Sequence, residues 1–311
     1  MHDIHNDFEI ENILEENRKR HEIINAPYNP VTGLGAVGER KKISIKDSPI
    51  GDMYLPVELI KENLFIRRLA KYGFKGYIIR FIKEVEYSEE ALNQLWIEFI
   101  KYRIIYDFEY WAYSFIFIKD KVSPKDIPFK LNRAQRRVLN KLEKLRKAGK
   151  PIKFILLKAR QWGGSTLVQI YMLWIMLVHR RNWNTVICGD VETQSRNVRA
   201  MITKALNKYP SYLLGETVKF TPFEGSSKNK VIQNTNCVVS IGSFQKPDTL
   251  RSGDISGAHL TEIGLWRATP GKKPEDLIQS ISGSIYDTAY TILGLESTAK
   301  GVGNFFHRTW Q

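Results

Sequence analysis

A nine-residue segment, Lys158–Thr166, carries the residue types that could hold a chain of phosphates. It reads K-A-R-Q-W-G-G-S-T and lies between an apolar run that ends at Leu157 and an apolar stretch that begins at Leu167. We therefore expect it at a turn from a strand to a helix. The first backbone amides of a helix have no partner within the helix and lie at its positive dipole end, so they bind anions. Gly163 and Gly164 let that backbone approach an anion closely.

The segment departs from the usual P-loop pattern, G-x-x-x-x-G-K-[ST], in the position of its lysine. Lys158 takes the place of the first glycine, Gly163 matches the second, and Gly164 stands where the lysine is expected. Ser165 matches the hydroxyl that binds Mg²⁺ in this pattern. Lys158 or Arg160 would supply the mobile cation for the phosphates. The other expected nucleotide contacts are Gln161, Trp162 and Thr166.

A second nucleotide signal is the segment Gly257–Glu262, G-A-H-L-T-E, a short apolar strand that ends in a hydroxyl and a carboxylate. In ATPases of this architecture such a strand usually ends in Asp-Glu, in which the Asp helps to hold Mg²⁺ and the Glu orients or deprotonates the attacking water. Here Thr261 replaces the Asp, and a threonine reaches a metal only through water and does not neutralise its charge. Glu262 is the expected catalytic carboxylate and lies beside the metal. A strand that ends at an ordinary surface glutamate is the alternative.

A third signal, Glu296–Gly301, reads E-S-T-A-K-G and follows the strand-like run Tyr290–Leu295. Small hydroxyl residues at the carboxyl end of a strand can sense a γ-phosphate, because hydrolysis removes a charged acceptor and changes their hydrogen bonds. Ser297 and Thr298 are the candidates. The segment alone equally fits a turn rich in small residues.

The elements that must position these segments form an α/β pattern. Strands are expected at Phe154–Lys158, Thr185–Gly189, Cys237–Gly242, Ala258–Thr261 and Thr288–Leu295, with helices between them. Continuous apolar strands that alternate with helices predict a mainly parallel sheet covered by helices on both faces, here a P-loop NTPase fold of the RecA/ASCE type. Apolar residues at helical spacing over Leu59–Ile118 predict a small helical unit before it. We expect a charged, loop-rich arm over 1–52, this helical subdomain over 53–124 and the P-loop domain over 125–311.

Three further patterns favour structural roles. The formal G-x-G-x-x-G at Gly33–Gly38 has no strand before it and is interpreted as a turn. An aromatic cluster near the end of the helical unit is interpreted as core packing, with base stacking as the alternative; its members are Tyr106, Phe108, Tyr110, Trp111 and Tyr113. A helix around Leu139 and Leu142 has its basic residues largely off the apolar face, as a solvated face would; they are Arg136, Arg137, Lys141, Lys144 and Lys147.

Composition favours an anionic polymer as partner. The 311 residues carry 47 Lys+Arg against 33 Asp+Glu, a formal net charge of +14, and a merely basic soluble enzyme is the alternative. Cys188 and Cys237 lie in apolar strand-like runs, which fits buried thiols in a reducing compartment. The first thirty residues lack the apolar core of an export signal, and the apolar stretch Thr166–Val178 is too short to cross a bilayer, so no membrane role is expected.

Four segments together resemble the ATPase motifs of the large terminase subunit of tailed bacteriophages. They are Lys158–Thr166, H-L-T-E-I-G-L-W at His259–Trp266, E-S-T-A-K-G-V-G-N-F-F-H at Glu296–His307 and P-F-K-L-N-R-A-Q-R-R at Pro128–Arg137. The resemblance covers roughly Tyr106 to the end, with the motifs in the same order and spacing. It extends more faintly to N-P-V-T-G at Asn29–Gly33.

The resemblance implies an ATP-hydrolysing molecular motor that translocates double-stranded viral DNA into a procapsid, with ATP and Mg²⁺ as cofactors. It assigns a role to each matching position: Gln135 to the adenine, Lys158 and Arg160 to the phosphates, Ser165 to Mg²⁺, Glu262 to the attacking water, and Ser297 and Thr298 to coupling hydrolysis with movement. The implied partners are the portal protein and the terminase small subunit, with a homo-oligomeric ring on the procapsid in the host cell cytoplasm.

Two departures from the family pattern bear on these expectations. Thr261 stands where an Asp is common, which puts the metal ligands in doubt. The family normally continues into an RNase H-like nuclease domain, whereas this chain ends at Gln311, ten residues past Gly301, so the nuclease is expected to be absent from this chain. The alternatives are a degenerate P-loop DNA-binding protein without hydrolysis, motivated by Gly164 and Thr261, or another P-loop nucleic-acid motor such as a helicase.

Overall fold

The computed structural model describes residues 10–18, 27–82, 88–120, 122–247 and 254–311. Contacts divide the chain into two compact units. The first comprises Met1–Tyr110 and Lys130–Lys141, and the second comprises Trp111–Phe129 and Leu142–Gln311. The domain boundaries predicted at positions 52 and 124 do not coincide with these units, so the division into an arm, a helical subdomain and a P-loop domain stays a prediction.

The first part of the chain is mainly helical, as its apolar spacing predicts. Its elements are α1 (described over 10–18), β1 (Arg40–Ser44), β2 (Asp52–Pro56), α2 (Val57–Glu62), α3 (Leu64–Phe81), α4 (Glu89–Tyr106) and α5 (Phe108–Phe115). Strands β1 and β2 form an antiparallel ladder, with Ser44 opposite Asp52, so paired residues lie on both sides of the predicted boundary at 52. Helices α3 and α4 begin where the side chains of Asn63 and Ser88 accept hydrogen bonds from backbone amides of the first turn.

The glycine-rich segment before β1 forms turns, as interpreted from the sequence. Gly33, Gly35 and Gly38 have φ angles of 80°, 67° and 89°, values that side chains disfavour. A Cβ atom on Gly33 would overlap the carbonyl oxygen of Tyr54. Gly33 therefore serves the close packing of the segment on β2.

The second unit contains the α/β core. Its strands are β3 (Phe117–Lys119), β4 (Asp126–Pro128), β5 (Ile152–Leu157), β6 (Thr185–Gly189), β7 (Phe220–Phe223), β8 (Ser226–Ile232), β9 (Cys237–Ser243), β10 (Gly257–Thr261) and β11 (Ile292–Ser297). Seven of them form one sheet in the order β5-β11-β10-β6-β9-β8-β7. The first five of these are parallel to one another, which confirms the predicted fold class. Strands β7 and β8 add an antiparallel edge that the sequence analysis did not predict.

Helices cover the sheet and take opposite faces of its central strands. The helices of this part of the chain are α6 (Arg133–Lys147), α7 (Gly164–Trp174), α8 (Glu192–Leu206), α9 (Pro274–Gly283) and α10 (Phe305–Trp310). Ala258 and Leu260 of β10 pack in one apolar cluster with Leu277 of α9. Side chains alternate along a strand, so His259 and Thr261 lie on the other face of β10. Helix α7 contacts β10 and β11 there.

Helix α7 confirms the helix that is expected after the segment Lys158–Thr166. Its residues from Leu167 to Trp174 are buried, and it continues into a π-helical turn at Ile175–His179. No helix of the described ranges has the length and apolarity needed to cross a bilayer.

Strand β11 corrects one predicted boundary. The apolar pattern predicted a strand over Thr288–Leu295, whereas the strand begins at Ile292 and continues through Glu296 to Ser297. The prediction ended the strand too early because Glu296 is charged and yet wholly buried. Its carboxylate has partners that are distant in the sequence and that strand periodicity alone does not reveal.

The basic face of α6 needs a second correction. Arg137, Lys141, Lys144 and Lys147 are exposed, in agreement with a solvated face. Arg136 is instead buried, and its Nε lies 3.1 Å from Glu109 Oε1. Its partner lies in the first turn of α5, far from Arg136 in the sequence, so the helical pattern alone could not place it.

The aromatic cluster is core packing. Phe108, Tyr110 and Trp111 are almost fully buried, and the Trp111 indole donates a hydrogen bond of 3.0 Å to the Tyr209 hydroxyl. Cys188 and Cys237 are buried free thiols, as expected, and burial raises the pKa of both.

A buried charge cluster ties β1 to the end of α4. Asp107 receives Arg40 Nη2 at 2.8 Å and Arg103 Nε at 3.0 Å, and the three side chains are almost without solvent contact. Burial by itself would raise the pKa of Asp107, but the two guanidinium groups outweigh it and lower the pKa to about 2. The cluster therefore holds an ionised carboxylate at neutral pH.

We expect the substitution Asp107→Asn to destabilise the chain by about 3–5 kcal/mol at neutral pH, because it leaves two buried guanidinium groups without their anion. The contribution is complete above the ordinary pKa of 3.8 and is lost as the pH falls towards the folded-state pKa of about 2. Urea unfolding at several pH values measures it. Asp52→Asn, at an exposed pair with Lys42, is the control and should change little; equal effects of the two substitutions would contradict the prediction.

Candidate functional site

Three of the residues singled out in the sequence meet at the carboxyl ends of neighbouring strands. Lys158 follows β5, Glu262 follows β10, and Thr298 follows β11, which lies between those two strands. The Lys158 ammonium lies 2.8 Å from Glu262 Oε1. The Thr298 hydroxyl donates to Glu262 Oε2 at 3.1 Å. Ligands of open parallel sheets bind at this edge.

The turn between β5 and α7 has the backbone of an anion site. Gly163 precedes the helix with φ 87° and ψ 26°, a left-handed conformation that glycine adopts without strain. A Cβ atom on Gly164 would lie 2.8 Å from the Trp162 ring and 3.0 Å from Lys158 Cδ. The Lys158 chain thus occupies the space that a side chain at 164 would need, which accounts for a glycine where the P-loop lysine is expected.

Lys158 is anchored in the sheet rather than in the loop. Its backbone amide donates to the Ser297 carbonyl at 3.0 Å, and its side chain is 7% exposed. Arg160 is exposed, and no carboxylate of the described residues forms an ion pair with it. The phosphate role predicted for Arg160 stays a prediction.

The other loop residues follow the strand-to-helix turn. Gln161 has a positive φ of 61° and is exposed, and Trp162 is half-buried. The Thr166 hydroxyl donates towards the Met201 sulfur at 3.7 Å. Their nucleotide contacts stay predictions.

Ser165, the predicted magnesium hydroxyl, donates to the carboxylate of Glu296. The Thr261 hydroxyl donates to the same oxygen, Oε1, at 2.8 Å. The Cα atoms of Thr261 and Glu296 are direct partners in the parallel ladder of β10 and β11. Sequence reasoning named Glu296 only as the first letter of a small-residue segment; aligning the ends of the two strands is the signal that would have placed it beside Thr261.

A second pair of polar residues adjoins Glu296. His259 Nε2 lies 3.1 Å from Glu296 Oε1, and the amide nitrogen of Gln169 lies 2.6 Å from His259 Nδ1. All three side chains are buried. Burial by itself would raise the pKa of Glu296, but His259, Lys158 and the Ser165 hydroxyl outweigh it and lower the pKa to about 2. Glu296 is therefore ionised in the folded chain at neutral pH.

Both predicted coupling residues contact the turn that carries Glu262. Glu262 has a left-handed backbone, with φ 55° and ψ 39°. The Gly264 amide donates to the Ser297 hydroxyl at 2.9 Å, and a Cβ atom on Gly264 would lie 2.8 Å from that hydroxyl. Ser297 holds the turn, and Thr298 holds the carboxylate. Their role in coupling stays a prediction.

Gln135, the predicted adenine contact, lies in the first turn of α6 in the first compact unit. The Asn132 amide donates to Gln135 Oε1 at 2.9 Å, and the Gln135 amide donates to Asn132 Oδ1 at 2.9 Å. This reciprocal arrangement is a capping box, and the N-x-x-Q spacing in the sequence is its signal. Contact with adenine stays a prediction.

A cavity of about 1150 Å³ lies beyond the Glu262 turn. Gly264, Trp266 and Lys300 are among its lining residues, and none of the residues Lys158–Thr166 lines it. Within the described part of the chain, no three His, Cys, Asp or Glu side chains are grouped so that they could hold a metal ion. A metal beside Ser165 would therefore depend on few protein ligands, with phosphate and water for the rest.

The sheet order and these strand ends define the class of the domain. A strand, β11, lies between the P-loop strand β5 and the strand β10 that leads to Glu262. The P-loop comes between β5 and α7, and the glutamate follows β10. This is a P-loop NTPase fold of the ASCE type.

Solved structures that the chain matches in part are phage packaging proteins. The large terminase of bacteriophage HK97 is 21% identical over 61% of this chain and 36% of its own, with a TM-score of 0.48. The large terminase ATPase domain of Thermus phage P74-26 is 14% identical over 53% and 67%, with a TM-score of 0.37. The large terminase of a thermophilic bacteriophage, solved in complex with ADP, is 13% identical over 52% and 37%, with a TM-score of 0.36.

The chain thus spans about a third of the length of the HK97 protein and of the protein solved with ADP. Comparison with sequence models of protein families, and with curated proteins, gives no match.

We expect the ion pair of Lys158 and Glu262 to contribute to the unfolding free energy of the nucleotide-free chain. The pair is largely shielded from solvent, because Glu262 is 25% exposed and Lys158 only 7%. Unfolding free energies of Lys158→Met, Glu262→Gln and the double variant should give a coupling of about 1 kcal/mol. The exposed pair Lys153–Asp287 is the matched control, for which a near-zero coupling is expected. Additive effects at Lys158 and Glu262 would show that the pair does not form in solution.

Proposed function

We propose that this chain is the ATP-hydrolysing motor domain of a viral terminase large subunit, which translocates double-stranded DNA into a procapsid. The observation that carries the proposal is the contact of Glu262 with Lys158 on one oxygen and Thr298 on the other. A cation for phosphates, a carboxylate for water and a hydroxyl that follows the next strand are the parts that phosphoryl transfer and its coupling require. The order and spacing of the four terminase-like segments support the family.

ATP would place its phosphates on the backbone amides of residues 162–166. A helix start that presents unpaired amides attracts the phosphate charge, and the Lys158 ammonium lies at its edge. Because a triphosphate is a stronger anion than one carboxylate, it would draw Lys158 from Glu262. Binding of ATP therefore releases the glutamate for its own chemistry.

The residues beside Ser165 fit a magnesium ion. The Ser165 hydroxyl and a buried carboxylate, Glu296, meet at the start of α7, and oxygen ligands are those that Mg²⁺ prefers. When bound, the metal supplies positive charge to the β- and γ-phosphate oxygens. Thr261 and Glu262 would lie beside it, with Thr261 reaching it through water.

Hydrolysis would follow from positioning and charge. Glu262, once released from Lys158, would accept a hydrogen bond from the attacking water and orient it in line with the γ-phosphate, while Lys158 stabilises charge on that phosphate. Loss of the γ-phosphate would return Lys158 to Glu262. Since Thr298 and Ser297 hold the Glu262 turn, each such exchange would move the loops after β10 and β11.

The remaining parts of the proposal concern partners. The net charge of +14 suits a DNA backbone, and a packaging motor must accept any sequence, so contacts to phosphates should dominate. The proposed assembly is a homo-oligomeric ring on the portal of a procapsid, with the terminase small subunit, in the host cytoplasm. A neighbouring subunit's arginine would complete each site.

A second candidate, a P-loop protein that binds DNA and hydrolyses nothing, is favoured by one observation. Thr261 gives β10 no carboxylate for a metal. Nucleotide-binding calorimetry with Mg²⁺ separates the two functions, since the second predicts no ATP binding.

We expect Glu262→Gln to lower ATP turnover about 10²- to 10⁴-fold, the usual contribution of a general base, with little change in ATP affinity. Lys158→Ala should weaken ATP binding as well as turnover, because it removes the phosphate cation. Lys153→Ala, on an exposed side chain of β5, and Glu275→Gln, at an exposed ion pair, are the matched controls and should leave both quantities unchanged.

Steady-state hydrolysis and binding of a fluorescent ATP analogue measure these effects. Hydrolysis that survives both substitutions would overturn the site. ATP binding without turnover in the unchanged chain, in the presence of DNA, would contradict the proposed hydrolysis, whereas absence of ATP binding would favour the second candidate.

We expect duplex DNA of unrelated sequences to bind with equal affinity at one salt concentration. The logarithm of the affinity should fall linearly with the logarithm of salt, since phosphate contacts release counterions. Fluorescence anisotropy measures both. A strong preference for one duplex would contradict a packaging role.

A further inference from the structure

Strand β10 ends without the metal carboxylate that its position normally supplies. Thr261 stands there, and its hydroxyl cannot neutralise a divalent cation. The adjacent strand β11 carries a carboxylate at the same level, because the Cα atoms of Thr261 and Glu296 are register partners. Neighbouring parallel strands point register partners to the same face, so Glu296 projects to the side of the sheet that α7 covers.

We propose that Glu296 is the metal-facing carboxylate of this site and replaces the missing aspartate from one strand away. The inference rests on the proposed function and deepens it, because it makes Glu296 the substitute for the carboxylate that β10 lacks. Glu296 contacts Ser165, the hydroxyl that a P-loop offers to Mg²⁺. A hydroxyl and a carboxylate in contact are the two protein ligands that the P-loop strand and its partner strand usually provide.

The polar contacts of the Glu296 side chain fall on one of its two oxygens. Ser165, Thr261 and His259 all approach Oε1. Oε2 is buried and accepts no hydrogen bond from any residue within the described ranges. Because both oxygens belong to one carboxylate, Oε2 lies in the same buried site as the contact with Ser165.

A buried carboxylate oxygen without a hydrogen-bond donor is costly to the folded chain. Such atoms in folded proteins occur where an ion, a water molecule or a catalytic role accounts for them. The Glu296 carboxylate contacts the P-loop hydroxyl through Oε1, and its Oε2 has no hydrogen-bond partner among the residues that the structure describes. The second observation is therefore an independent sign of a ligand at this position.

The surroundings of Glu296 suit a fixed ligand. The side chain is completely buried, and Thr261 holds its Oε1 at 2.8 Å. His259, held in turn by Gln169 of α7 at 2.6 Å, approaches the same oxygen. Metal-binding carboxylates are commonly oriented by such a second layer of polar groups. In this assignment Thr261, His259 and Gln169 are positioning residues, and Thr261 needs no direct contact with the metal.

The assignment also divides the two acidic residues by role. Glu262 is partly exposed and contacts Lys158 and Thr298, an environment that can change when a nucleotide binds. Glu296 is completely buried, so its surroundings suit the binding of a ligand more than an exchange of partners. One carboxylate is therefore placed for water and the other for a cation.

The test compares metal binding with metal-free nucleotide binding. The probes are Mn²⁺, observed by electron paramagnetic resonance, and a fluorescent non-hydrolysable ATP analogue with and without Mg²⁺. Glu296→Gln keeps the shape of the side chain and removes its charge. We expect Mn²⁺ affinity in the presence of the analogue to fall about 10- to 100-fold, the usual effect of disturbing a metal site. Affinity for the analogue in EDTA should stay unchanged.

A swap variant guards against a merely structural effect. Thr261→Asp combined with Glu296→Gln returns a carboxylate to the end of β10, and it should recover most of the lost Mn²⁺ affinity. Asp287→Asn removes an exposed charge of the same unit and is the matched control, with no loss expected. Circular dichroism melting of each variant establishes that it is folded.

Three outcomes would overturn the assignment. One is unchanged Mn²⁺ affinity in the folded Glu296→Gln variant. Another is an equal loss of analogue affinity with and without metal, which indicates a structural role. The third is failure of the folded swap variant to recover Mn²⁺. Absence of analogue binding in the unchanged chain would instead remove the proposed function itself, and the two failures are thereby distinguishable.

Discussion

The buried carboxylate of Glu296 is the constraint around which the P-loop face of the sheet is organised. A charge removed from solvent must be met by donors and by opposite charge, and here they come from two elements. Ser165 comes from the start of α7, and Thr261 and His259 come from β10. The parallel register of β10 and β11 brings these groups to one level. The start of α7 is thus held to two strands by a single side chain.

Around this fixed centre lies a second, more exposed set of contacts. Glu262 bridges Lys158 and Thr298, and Ser297 holds the turn that follows it. These contacts join groups that follow three strands, and each is a single hydrogen bond or ion pair that a phosphate could replace. The site therefore combines a buried part around Glu296, which we propose holds the metal, with a more exposed part that can rearrange. That division suits a cycle in which a nucleotide is bound, hydrolysed and released.

Much of this fold could be predicted from the sequence, because strands buried on both faces appear as continuous apolar runs. The strand Thr185–Gly189 was predicted with its observed bounds. Prediction was wrong where burial depends on distant partners. Strand β11 was ended before Glu296, and Arg136 was given to a solvated face although Glu109 buries it. Strands β7 and β8 were missed because their sequences look like those of loops. Strand β7 contains Pro222, and β8 begins with five polar residues. Of the site, the P-loop and Glu262 followed from motifs, whereas the role inferred for Glu296 needed the strand register.

The attachment of Lys158 has a mechanical consequence. In the usual pattern the phosphate lysine belongs to the helix after the loop, so the cation moves whenever the loop changes shape. Here its backbone amide donates a hydrogen bond to the carbonyl of Ser297, the last residue of strand β11. The glycine turn can open for an incoming or departing nucleotide while the base of the lysine side chain stays where it is. The backbone of Lys158 would then stay in place while its ammonium exchanges between Glu262 and a phosphate, so that the displacement falls on the side chain and on the other loops.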